Sequence, residues 1–172
     1  MTMANLEDTC QQSNFRALYE RDAKALYNYI YYKSGDTGFS EDTVQEAFMR
    51  LWKNCAKVPI SKAKSYLFTT ATNLFLDKAK RKKIQLKFQE SKVVREKTIQ
   101  DPEYLMQEKE YKEKLYSVIN SLPEAQRTAF LMNRIDKLKY REIADILGIS
   151  QKAVEKRIHA ALLVIRKEIG NI

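Results

Sequence analysis

Glycine and proline are scarce, four and three in 172 residues. Long stretches are instead rich in Leu, Lys, Glu, Ala and Gln, which excludes a turn-rich β architecture and predicts an all-α fold. Cysteine is scarcer still. Cys10 falls in a polar tail and Cys55 on an apolar helical stripe, so neither a disulfide framework nor a thiolate metal site is expected, and the compartment reads as reducing. His159 is the only histidine, which leaves a metal site or a His-based catalytic relay almost nothing to work with. No stretch reaches the roughly 18 apolar residues of a membrane span, and residues 1–14 lack the apolar run of a signal peptide. The expectation is a soluble cytoplasmic protein without metal, cofactor or small-molecule substrate.

Positive charge is what the chain has in excess. Lys and Arg number 31 against 22 Asp and Glu, a net charge of +9. A polyanion is the natural partner, although membranes and acidic proteins also attract such a surface. No phosphate loop, zinc spacing or nucleophile–base set is present, so no enzyme is expected. The carboxylates Glu41, Asp42 and Glu46 are explained by a helix N-terminus without a metal.

Apolar residues recur at helical spacing in two blocks. Residues 15–33 form a first helix stopped by Ser34-Gly35-Asp36. Ser40 is expected to cap a second helix, running to about Asn54, whose buried stripe is Val44, Ala47, Phe48, Leu51, Trp52 and Cys55. After Pro59, Ser61 is expected to cap a third helix through Tyr66, Leu67, Ala71, Leu74 and Phe75, ending in basic residues up to Lys83. This divides the chain into a polar tail (1–14), a first domain (15–83), a linker (84–103) and a second domain (104–172). In the second domain a helix from Tyr104 to Ser121 precedes Ser121-Leu122-Pro123-Glu124, a capping-box pattern opening a helix that carries Phe130, Leu131 and Ile135.

Residues 140–158 then read as a helix-turn-helix. Ala144 permits close helix approach, Gly148 the left-handed turn, Ser150 caps, and Val154 packs the second helix on the first. On the last helix Val154, Ile158, Ala161, Leu162, Ile165 and Ile169 share the inward side. Lys152, Lys156 and His159 therefore centre the outward side, flanked by Gln151 and Glu155, where a groove-inserted helix presents its readers. Lys can read guanine, Gln adenine and Glu cytosine. Lys139 and Arg141 suit phosphate contacts. A merely solvated lysine face is the bland alternative.

Ser40-Glu41-Asp42-Thr43-Val44-Gln45-Glu46-Ala47-Phe48-Met49-Arg50-Leu51-Trp52 is similar to a region 2.2 signature, and on it the first domain resembles the extracytoplasmic-function (ECF) sigma factors, bacterial initiation factors that give RNA polymerase its promoter choice. The resemblance implies docking on the polymerase clamp through Asp42, Gln45, Glu46, Met49 and Lys53, which periodicity places outward. Residues 66–77 are similar to the minus-ten region, with Asn73 and Asp77 in its Asn-x-x-x-Asp pattern. Lys80, with Arg81 beside it, stands where Arg is usual. The implied minus-ten contacts are Lys64, Tyr66, Asn73, Asp77, Lys80 and Arg81, with 57–64 as a pocket loop and Lys78, Lys80, Lys82 and Lys83 as a phosphate track. Phe68 reads as core.

The second domain resembles region 4, implying minus-thirty-five contacts by Gln151, Lys152, Glu155, Lys156, His159, Lys139 and Arg141. Glu155 and Ala160 occupy places where relatives often carry Arg. The implied architecture is two small helical domains joined by a linker. The implied partners are core RNA polymerase, promoter DNA and an anti-sigma factor, which can be membrane-bound. An ordinary helix-turn-helix regulator acting independently of polymerase is the alternative.

Overall fold

The computed structural model describes residues 8–81 and 102–170, with the side chains of 80, 81 and 102–109 outside that description. Seven α-helices and one 3₁₀ turn account for the described residues, without a strand among them: α1 Gln12–Ser34, α2 Thr37–Lys53, the 3₁₀ turn Cys55–Lys57, α3 Ile60–Arg81, α4 Pro102–Ser121, α5 Glu124–Arg134, α6 Tyr140–Leu147 and α7 Gln151–Ile169. α1, α2 and α3 pack together around Leu26, Ile30, Leu51 and Leu67. α7 is the hub of the second group and packs on α4, α5 and α6 through Val154, Ile158 and Ile165. No helix among the described residues is long and apolar enough to cross a membrane.

Local chemistry moves several helix ends away from their expected positions. Gly35, at φ 65°, closes α1 in the left-handed conformation, and the next residue, Asp36, rather than Ser40, caps α2. The Asp36 carboxylate accepts from Phe39 N–H at 2.9 Å, which holds its pKa below the ordinary value. Ser40 is instead buried inside α2, its hydroxyl donating to the Asp36 carbonyl at 2.6 Å. Ser61 likewise lies one residue inside α3, and Pro59 supplies the carbonyl that Lys62 N–H reaches.

The box expected at Ser121–Glu124 does not form. Ser121 turns back to donate to the Val118 carbonyl at 2.7 Å, and α5 starts after Pro123 without a side-chain cap. α4 opens on Pro102, where a missing N–H costs nothing, so the last two residues of the expected linker are helical. Residues 82–101, with Lys82, Lys83 and most of that linker, lie outside the described residues.

Three residues expected in the core are elsewhere. Trp52 is 47 % exposed, packing only an edge against Phe15 at 5.0 Å between ring centroids. Cys55 leaves the α2 stripe because the helix ends at Lys53, and, against the expectation of unbridged cysteines, it forms a disulfide with Cys10. Ile135 is 62 % exposed because it terminates α5 instead of continuing it.

The two helical groups meet along α1 and α5. Arg127, buried, donates to the carbonyls of Tyr32, Asn120 and Leu122, each at 3.2 Å, so one guanidinium joins α1 to the α4–α5 connection. Burial lowers its pKa from the ordinary value, opposed by the nearby Glu124 charge. Lys33 Nζ reaches Glu124 Oε1 at 2.7 Å. Asp136 accepts from Asn28 at 2.6 Å and from Tyr32 Oη at 3.1 Å. Burial raises the pKa of Asp136 against those hydrogen bonds, and burial next to this carboxylate pushes the Tyr32 phenol far up.

Candidate nucleic-acid interface

The helix-turn-helix has the anatomy its residues predict. α6 ends at Gly148, φ 64°, where an added Cβ would meet nothing and only the backbone conformation demands glycine. Ser150 caps α7 by accepting from Ala153 N–H at 3.2 Å. Glu142 stabilises the start of α6, its carboxylate accepting from Lys139 N–H at 2.8 Å. Lys137 carries a left-handed φ of 58° in the turn before it, which lets Leu138 N–H reach the Met132 carbonyl at 3.2 Å.

Val154, Ile158, Ala161 and Ile165 are buried, so the opposite side of α7 is fixed in the outward direction. Gln151, Lys152, Glu155, Lys156 and His159 are all exposed on it. Lys139 and Arg141 are exposed at the start of α6. These seven residues form a surface of neutral donors and positive charge interrupted by one carboxylate.

A second polar face lies on α3. Asn73 is exposed and Lys64 half-buried, and both line a cavity of about 440 Å³. Its α3 wall also includes Thr69 and Thr72, which sequence reasoning missed; the Thr69, Thr72, Asn73 row of small polar residues was the available signal. Thr72 donates to the Phe68 carbonyl at 2.7 Å, so across the 2.8 Å separating their hydroxyls Tyr29 donates to Thr72. Buried Tyr29 thus positions the wall from α1. The far wall is α6, which contributes Glu142, Asp145 and Ile146. Two carboxylate residues therefore share the cavity with Lys64 and Asn73.

The remaining expected α3 contacts are dispersed. Tyr66 is half-buried, its hydroxyl held against Asn54 Nδ2 at 3.3 Å, while Phe68 is core. Lys64 lies on the helix, because α3 begins at Ile60 and shortens the expected pocket loop. Asp77 is exposed, but the side chains of Lys80 and Arg81 lie outside the described residues. Lys78 is diverted from the expected phosphate track: its ammonium sits 3.8 Å over the Phe39 ring and 3.3 Å from Asp36 Oδ2.

On α2, Asp42, Gln45, Met49 and Lys53 are exposed and Glu46 is half-buried. Glu46 pairs with Arg50 at 2.6 Å, a partly exposed i,i+4 pair that costs little to exchange. Met49, 52 % exposed, and Trp52 add apolar area to this strip of mixed charge, and Tyr19 of α1, 48 % exposed, lies 4.9 Å from the Phe48 ring between centroids. Helical spacing counts Trp52 with the buried stripe of α2 and Tyr19 with the apolar positions of α1, yet both are about half exposed. A mixed surface of carboxylates, a thioether and aromatic edges suits a protein partner better than DNA.

Residues 18–84 match the family described as Sigma-70 region 2, and residues 112–164 match Sigma-70, region 4. The ECF RNA polymerase sigma factor SigW of Bacillus subtilis is 29 % identical over 157 residues, covering 86 % of this chain and 84 % of its own. The ferric citrate uptake sigma factor FecI of Escherichia coli is 27 % identical over 172 residues, covering 98 % and 99 %. Among solved structures, the sigma factor RpoE of Bartonella quintana, in complex with the anti-sigma factor NepR, superposes with a TM-score of 0.61 at 19 % identity, covering 91 % of this chain and 97 % of that one. CnrH, in complex with the cytosolic domain of CnrY, gives 0.60 at 20 % identity, covering 91 % and 88 %.

Proposed function

Because the chain belongs to the ECF subfamily of sigma factors, which direct promoter-specific initiation by RNA polymerase, we propose the following division of work among its surfaces. The α2 strip of Asp42, Gln45, Glu46, Met49 and Lys53 binds core polymerase at its clamp. The outward side of α7, with Lys139 and Arg141, reads the minus-thirty-five duplex. The α3 face around Asn73, with Lys64, Tyr66, Asp77, Lys80 and Arg81, engages the opened minus-ten strand. The chain works in the cytoplasm beside polymerase and itself catalyses no reaction.

One observation carries this reading: two exposed surfaces of different chemistry on one chain. The α7 side is polar and weakly basic; the α2 strip sets the carboxylates of Asp42 and Glu46 and the ammonium of Lys53 beside half-exposed Met49 and Trp52. Shared binding energy explains a reading face as modest as Lys152, Lys156 and Gln151, since polymerase supplies the rest. The match to both sigma regions leaves the polymerase-independent regulator without support. An anti-sigma factor is the proposed antagonist, as RpoE and CnrH are both seen with a bound protein.

The closed arrangement adds a step. α6 stands across the cavity from Asn73, with Glu142 and Asp145 occupying the side from which phosphates would approach. Engagement of a melted strand requires α6 to move away, and polymerase binding to both halves supplies the differential affinity for that opening.

Substitution separates the surfaces. Asp42→Ala with Glu46→Ala should weaken core polymerase binding about tenfold while leaving promoter preference intact. Lys152→Ala or Lys156→Ala should change minus-thirty-five use, by about 1–3 kcal/mol for each base no longer read, with polymerase affinity unchanged. Core-binding anisotropy and transcription from promoter libraries read the two effects, and identical behaviour of both pairs would sink the division of labour.

A further inference from the structure

The chain has two cysteines, and both stand in a single bond that joins the residue before the α1 N-cap to the 3₁₀ turn after α2. Beside it Thr9 is buried and its hydroxyl donates to the Val58 carbonyl at 2.6 Å, while the Cys10 N–H and the Asn14 side-chain amide donate to Asp8 within the segment. The core packing between α1 and α2, from Leu18 to Phe48 and Leu51, does not involve sulfur. Five residues after Cys10, Phe15 lays its edge on Trp52, and Trp52 borders the exposed Met49 and Lys53 strip. The bond therefore pins the end of α2 that carries the protein-facing surface.

We propose that Cys10 and Cys55 are a reversible thiol–disulfide exchange site, with a small cellular disulfide as oxidant and its thiol as reductant, that sets the order of the Trp52 end of α2. The functional consequence rests on the polymerase reading above. In a cytoplasm, where thiol pools keep structural disulfides rare, a bond at this position is transient and reports redox state. Cys55 lines a surface cavity of about 260 Å³ together with Asp8 and Lys57, and through it a reagent approaches Cys55.

The exchange balances in two steps. The Cys55 thiolate attacks a small disulfide RS–SR, forming Cys55–S–SR and releasing RS⁻, which takes up a proton. The Cys10 thiolate then attacks the Cys55 sulfur, forming the intramolecular bond and expelling the second RS⁻, which is protonated in turn. Two protein thiols are oxidised and one RS–SR is reduced to two RSH; excess thiol reverses both steps.

Trp52 is the sole tryptophan and hence a built-in reporter. The full chain is equilibrated with mixtures of reduced and oxidised glutathione, then alkylated and weighed intact, with tryptophan emission, melting temperature and core polymerase affinity measured in parallel. The expected result is two alkylated thiols in the reduced form and none in the oxidised one, with emission changing at the same midpoint. Reduction should lower the melting temperature by about 10 °C. Polymerase affinity should rise about three- to tenfold on oxidation, because the strip is then pre-organised. Cys10→Ser and Cys55→Ser should each keep the reduced-form emission at every ratio. Glutathione adducts on both cysteines without ring closure would overturn the proposal, as would a closed bond that leaves Trp52 emission unmoved. If emission and thiol count change together but neither form binds core polymerase, the exchange stands and the polymerase reading falls.

Discussion

At Asp136 two opposing demands meet in one carboxylate. Burial against α1 raises its pKa above the ordinary 3.8, while the Asn28 and Tyr32 donors favour its charge and only moderate that rise. The folded chain thus holds a proton here that the unfolded chain has already released, so across the acidic window above 3.8 this residue's contribution falls as pH rises. Asp36 has the opposite sign, its stabilisation being present above 3.8 and lost as pH falls through its lowered value. Asp136→Asn keeps an acceptor for Asn28 and Tyr32 without a charge. Thermal melts in the acidic range above pH 3.8 should lose part of their pH slope in this variant, and an unchanged slope would show that Asp136 is not the titrating group. None of this was legible beforehand, because Asn28 and Asp136 are 108 positions apart and no local pattern links them. Lys152 and Lys156 were legible because helical geometry alone turns them away from Val154 and Ile158.

Helix ends divide into those that sequence chemistry decides and those that packing decides. Gly148 and Ser150 belong to the first kind: a residue free to adopt φ 64° and a hydroxyl aimed at the α7 amides are local requirements. Gly148→Ala should cost about 1–2 kcal/mol, all of it conformational since the Cβ meets no atom. Ser150→Ala should cost about 1 kcal/mol through removal of the cap. Denaturant unfolding measures both, and a neutral Gly148→Ala would mean the turn can relax out of the left-handed region. The start of α2 belongs to the second kind. Ser40 had the right side chain, but Asp36 lies directly after the Gly35 turn and also holds Lys78 of α3, so the helix begins four residues earlier. Trp52 was misjudged for a related reason: it stands one residue before the end of α2, where its ring meets Phe15 at 5.0 Å between centroids and stays 47 % exposed.

The closed chain makes an allosteric prediction. Lys33–Glu124, Asn28–Asp136 and the Arg127 bond to the Tyr32 carbonyl all cross between α1 and the second group of helices. Lys33→Ala with Asn28→Ala removes two of these, and with Lys33 goes its ammonium over the Tyr29 and Phe75 rings. The double variant should shift the population toward separated halves, seen as a larger radius of gyration in solution scattering, and should bind a minus-ten single-stranded oligonucleotide more tightly in the absence of polymerase. A larger radius without tighter oligonucleotide binding would mean that α6 does not guard the Asn73 face. Periodicity showed the helices of each half, but their mutual placement depends on single buried polar residues such as Arg127, whose partners are backbone carbonyls that carry no sequence signature.

Arg127 also limits modularity. Its guanidinium serves carbonyls on both sides of the junction, two within its own half and one on α1. A chimera exchanging the carboxyl half for that of a relative would keep both folds, yet it would inherit the incoming domain's own balance between closed and extended forms. Promoter preference and the readiness to open would therefore travel together on one exchanged segment, and a graft intended to alter only the first would retune the second.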